Sequence, residues 1–129
     1  MGRSVPVSGI SILLAVFLST SLCPVFAADE DKRYEVRTIS AVESCSALNR
    51  ALVTAKKHDD WRYLYGFSLY TMGYLTGINR VAADTYDIAG TKNTKTLMVW
   101  LEKYCAKHPE DSFNNALVRL TAELYPHRR

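Results

Sequence analysis

Residues 63–80 read YLYGFSLYTMGYLTGINR. Whether this stretch spans a membrane, forms a core helix or presents a binding surface decides the fold. Its apolar part covers about 16 residues and is interrupted by Ser68, Thr71 and Thr76, whereas a span needs ~20 predominantly apolar residues. Arg62 and Arg80 flank it closely. It therefore reads as a buried helix of a soluble domain, running from Asp60 to Asn79 or slightly beyond. Each glycine inside such a helix costs about 1 kcal/mol relative to Ala. Gly66, Gly73 and Gly77 lie seven and four residues apart and share one face. That pattern predicts close approach of another backbone, from helix three or four of the same chain or across a homodimer. Tyr63, Tyr70 and Tyr74 share a neighbouring side. Their apolar rings and polar tips suit either a core edge or a recognition patch for another protein.

Upstream, the chain begins MGRSVPVSGISILLAVFLSTSLCPVFAADED. Arg3 supplies a positive start, Ile10 to Leu18 a short apolar core, and Val25-Phe26-Ala27 a compact cleavage site. Residues 1–27 thus read as a secretory signal peptide, cleaved after Ala27, which predicts a periplasmic or secreted protein. An uncleaved anchor fits less well, because Ser8, Gly9, Ser19, Thr20 and Ser21 interrupt the run and Pro24 breaks it. Cys23 leaves with the leader; Leu22 before it is too large for a lipoprotein cleavage box.

The remaining chain, about 100 residues, is enough for one domain with a modest core. Without Arg3, 15 basic residues face 13 acidic ones, a net charge of +2. The charges are mixed apart from a His127-Arg128-Arg129 run, which argues against a nucleic-acid partner. Two cysteines remain, Cys45 and Cys105. In an exported chain that number favours a disulfide, with one intramolecular pairing available. It closes a loop of about 60 residues, worth roughly 4 kcal/mol in the chain-entropy model.

Residues 28–43 are charged and mixed and read as a flexible lead-in. Cys45, Leu48, Leu52 and Ala55 recur at helical spacing in Ser44 to Lys57, which makes helix one. Asp59 or Asp60 caps the next helix, with Trp61 just inside. Residues 80–93 form a loop ending in the turn residues Gly90-Thr91-Lys92-Asn93. Helix three, TKTLMVWLEKYCAKH, puts Leu97, Leu101, Tyr104 and Cys105 on one face with Trp100 beside it, and stops at Pro109. Helix four, DSFNNALVRLTAELY, is capped by Asp111 or Ser112 and stripes Phe113, Leu117, Leu120 and Leu124. The expectation is an all-α fold: a small four-helix, disulfide-stapled domain over residues 44–126, with no strand pattern and no membrane span in the mature chain.

Chemistry-bearing constellations are scarce. Cys105 and His108 form a C-x-x-H pair, half of a metal or thiol site, but no second pair of ligands exists and Cys45 engages the sulfur. His58 beside Asp59 and Asp60 resembles a base with its orienter, yet no nucleophile accompanies it. No phosphate loop or nucleotide fingerprint is present. The sequence reads as a non-enzyme with no catalytic residues, no metal and no cofactor.

GYLTGIN at 73–79, YDIAG at 86–90 and WLEKYCAKHPEDSFNNALVRLTAEL at 100–124 resemble the HdeA/HdeB family of periplasmic acid-stress chaperones. In that family a cysteine early in the mature chain pairs with one in a C-x-x-x-P motif, matching Cys45 and Cys105 to Pro109 here. The G-Y-x-x-G element and the tail are equally similar to the Rap/Tai immunity proteins, which neutralise amidase toxins of the type VI secretion system. The likeness covers most of residues 44–124. It implies one of two protein-binding roles. As a chaperone, the domain would loosen below about pH 3, where net charge climbs toward about +18, and hold unfolding clients on Trp61, Tyr70, Tyr74 and Phe113. As an inhibitor of one specific partner, it would use Tyr63, Tyr70 and Trp100 as anchors at neutral pH, with the 80–93 loop reaching into the partner's cleft. A small secreted domain with neither role is the plain alternative.

Overall fold

The computed structural model describes residues 33–129; the leader read over residues 1–27 lies outside them. The fold is all-α, with four helices and no strands among the described residues: α1 (Cys45–His58), α2 (Tyr65–Val81), α3 (Thr94–Lys107) and α4 (Phe113–Leu124). Short 3-10 turns at Ser40–Val42, Trp61–Leu64 and Tyr125–His127 precede, link and follow them.

Local chemistry sets the boundaries. The Ser44 hydroxyl accepts from the Ala47 N–H at the start of α1. The Asn93 side chain accepts from Thr96 N–H at α3, and the Ser112 hydroxyl from Asn115 N–H at α4. Each satisfies one of the donors that a helix start leaves unpaired. Lys56, Lys57 and His58 occupy the last turn of α1, where the helix dipole favours cations. Asp59 then turns left-handed (φ 50°) and ends the helix. The second helix departs from the expected single run: its first four residues are 3-10, a common form for an N-terminal turn. Asp60 caps them by accepting from Arg62 N–H.

The starts of α1 and α4 lie side by side. Cys45 N–H donates to Asp111 O and Phe113 N–H to Glu43 O, an isolated antiparallel bridge between Ser44 and Ser112. The Cys45–Cys105 disulfide (S–S 2.01 Å) ties the same corner to the end of α3. Around it the core gathers Leu48 and Leu52 of α1, Leu97 and Leu101 of α3, and Phe113, Leu117, Leu120 and Leu124 of α4. Ile88, from the loop before α3, is also buried.

The packing of α2 corrects the expectation that helix three or four of the same chain packs on its glycines. α2 buries Phe67, Thr71 and Leu75, one narrow line at i, i+4 and i+8. The glycines sit on the far side of the helix, about 140° from that line at 3.6 residues per turn. Gly73 and Gly77 are exposed, and a Cβ at either would meet nothing within 4 Å among the described residues. Gly66 does admit a neighbour, but it is Val42 of the first 3-10 turn, whose Cγ1 would lie 3.1 Å from an added Cβ. Neither α3 nor α4 uses the stripe. Because Gly73 and Gly77 have helical backbone and open space, Gly73→Ala and Gly77→Ala should each raise stability by about 1 kcal/mol, read from denaturant midpoints. Lower stability in either variant would show that something does pack there.

The 80–93 loop is anchored at Asp87 and Ile88, while Tyr86 stays 84% exposed. Ile88 N–H donates to Asn79 Oδ1 at 2.7 Å. Tyr86 and Asp87 N–H donate to Arg129 O, and Arg129 N–H returns a bond to Asp87 O. Gly90 is left-handed (φ 63°), and a Cβ there would sit 2.7 Å from His127 O, so glycine is required both for its conformation and for the close approach.

Candidate partner-binding face

The faces of α2 follow from its arithmetic. With Phe67, Thr71 and Leu75 turned inward, a 3.6-residue period places Tyr65, Leu69, Met72 and Thr76 on the opposite side. All four are exposed, Leu69 at 73%. The preceding 3-10 turn adds Trp61 (51%) and Tyr63 (49%), so exposed apolar side chains recur from Trp61 to Met72, a strip in sequence order. Ile39, also exposed, extends it sideways. Between Ile39, Val42, Gly66, Leu69 and Tyr70 lies an open cleft of about 440 Å³. Large exposed apolar patches are where interaction sites are found, which makes this face the candidate.

The start of the strip is fixed by charge. The Arg62 guanidinium donates to both Asp60 carboxylate oxygens, at 2.7 and 2.8 Å, while its N–H caps the same group. These bonds hold the Asp60 carboxyl at about 2, below its ordinary 3.8. A carboxylate with a depressed folded value adds stability above its unfolded value and loses it as pH falls through the folded one. The turn presenting Trp61 and Tyr63 therefore keeps its cap down to about pH 2.

The six aromatic anchor candidates do not form one site. Trp61 and Tyr63 are exposed on the strip, whereas Tyr70 and Tyr74 are half-buried beside the core. Burial raises the Tyr74 phenol above its usual value. Trp100 is engaged: its ring stacks on Tyr104 (5.4 Å, 10°) and its indole N–H donates to Glu123 at 2.8 Å. Tyr104 in turn faces His108 at 4.5 Å and donates to Asp111 at 2.6 Å; accepting carboxylate charge holds its phenol above the ordinary value. Phe113 is fully buried, edge-on to Phe67 at 5.0 Å, so the folded domain keeps it from a partner and only an opened state exposes it.

Sequence reasoning missed Tyr65, Leu69 and Met72. Their shared outward face follows only once the buried line is known, because α2 carries apolar residues on every side. Cys105 is bonded to Cys45, so the C-x-x-H pair with His108 offers no thiolate. Among the described residues no group of three or more His, Cys, Asp or Glu is placed to hold a metal ion, and no helix is long and apolar enough to cross a membrane. Comparison with protein-family models, with curated proteins and with solved structures finds no match.

Proposed function

We propose that this chain is an exported, non-enzymatic chaperone of the HdeA/HdeB acid-stress kind, which holds unfolded clients on the outward face of α2. The observation that supports it is the Trp61–Tyr65–Leu69–Met72 strip, an uncovered apolar surface on an otherwise well-packed domain. Carboxylates supply the pH response. Asp111 anchors Tyr104, Glu123 anchors Trp100, Asp87 holds Arg129 and Glu102 pairs with Lys56. Below the ordinary carboxylate range, carboxylates as a class lose their charge while Lys, Arg and His keep theirs. Self-repulsion then loosens the domain around its disulfide and adds buried apolar surface to the strip.

The test is light scattering from an aggregation-prone client at about pH 2.5, below the ordinary carboxylate values, and at neutral pH, with and without the oxidised protein. Suppression in acid that fades at neutral pH is expected. Leu69→Lys should weaken it several-fold while changing unfolding free energy by no more than about 0.5 kcal/mol, as for other surface sites. No suppression at stoichiometric excess would sink the chaperone reading.

One observation favours a second reading, an inhibitor of one specific protein on the Rap/Tai pattern. The strip is already uncovered while every carboxylate bond is intact, and it sits on a preformed helix. A rigid aromatic and aliphatic face needs little reorganisation to bind. Stoichiometric capture of a single partner at neutral pH, abolished by Leu69→Lys, would select it.

A further inference from the structure

We propose a second site, which shares Trp61 with the strip but rests on a separate cavity and not on the client-binding reading: a cleft that takes the alkyl chain of a small carboxylate such as decanoate. It lies between α1, the Trp61–Leu64 turn and α3, with a volume of about 380 Å³, at the small end of the about 300–1,000 Å³ typical of ligand sites. Leu48 and Leu52, both buried, and half-buried Met98 form its floor. Trp61, Leu64 and Val99 form its walls, and Trp61 remains 51% exposed.

Charge at the mouth selects the head group. Lys95 and Glu102 are the ionisable residues that line the cleft. Glu102 is already paired with Lys56 at 3.3 Å. Lys95 has no hydrogen bond or ion pair among the described residues and is exposed. It also stands in the first turn of α3, where the helix dipole disfavours a cation. An anion beside Lys95 would meet both its ammonium and the positive helix end. The space behind it is apolar, lined by Leu48, Leu52, Leu64, Met98, Val99 and the Trp61 indole. A single alkyl chain ending in a carboxylate meets both conditions, with the chain under Trp61 and the carboxylate at Lys95.

The experiment uses the oxidised protein carrying Trp100→Phe, so that Trp61 is the single indole of the folded domain, and follows its emission during titration with decanoate below its micelle-forming concentration. A saturable blue shift with one site per chain is expected. Octanoate, two methylenes shorter, should bind about fifteenfold more weakly, at about fourfold per methylene. Lys95→Glu should weaken decanoate at least about tenfold, the equivalent of ~1.4 kcal/mol, and leave decanol unchanged. Val99→Phe, at a position 41% exposed and tolerant of size, should fill the cleft and weaken both ligands. No saturable shift would overturn the proposal. So would equal binding of decanoate and decanol, or indifference to Lys95→Glu, since either would leave the cleft to a neutral or peptide occupant.

Discussion

Phe113→Ala should cost about 3–5 kcal/mol of unfolding free energy, a large part of the about 5–15 kcal/mol that holds a typical domain. Phe113 is the largest fully buried side chain. It meets Phe67 edge-on at 5.0 Å and Tyr70 at 6.2 Å, so α4 and α2 join largely through this ring. It is also the first residue of α4, next to the Ser44–Ser112 bridge, and its N–H donates to Glu43. Backbone pinning limits how far the surroundings can collapse into the space left behind, which places the cost toward the upper part of the range. Urea unfolding at neutral pH measures it, with Phe113→Leu as the milder comparison. A loss below about 1 kcal/mol would mean that the site closes freely and that α2 is held by other contacts.

Removing the disulfide is the other large perturbation. Cys45 and Cys105 are separated by 60 residues and both are fully buried. In the chain-entropy model the reduced protein, or the Cys45→Ala/Cys105→Ala variant, is less stable by roughly 4 kcal/mol. The sulfur bridge is not alone at this corner. The Asn49 side chain donates to Cys105 O at 2.9 Å, and Cys45 N–H donates to Asp111 O. Those bonds survive substitution by Ala, so the variant should fold at neutral pH with a lower denaturant midpoint. In acid, where carboxylate contacts are lost, the two forms should diverge further, the oxidised chain expanding less by small-angle scattering than the reduced chain. Equal expansion would show that the tether does not limit the acid state.

The helices were legible because their ends carry chemistry that acts locally. Ser44, Asn93 and Ser112 accept from N–H groups three residues on, and Pro109 follows the end of α3. The stripe of Phe113, Leu117, Leu120 and Leu124 is entirely buried, as its spacing required. The face of α2 was not legible, because an apolar helix with small residues on several sides has no single preferred direction. Three glycines suggested an inner face; the inner line proved to be Phe67, Thr71 and Leu75, a pattern that includes one threonine. Phe113 was read both as stripe and as anchor, and only burial separates those roles. The clamp between Gly90 and His127 rests on contacts distant in sequence, which no local pattern announces.

The placement of the sulfur bridge divides the chain topologically. Cys45 and Cys105 close a covalent ring that contains α1, α2 and nearly all of α3, while α4 lies outside it and joins through residues 108–112. Yet α4 supplies the densest share of the buried surface. The element that fills the centre is thus the one that no covalent tie retains. If the domain opens, the ring stays whole and α4 departs as a hinged leaf, uncovering its own leucine ridge and the ring's interior at once. Two sticky surfaces then appear on one short tether, and neither drifts away from the other.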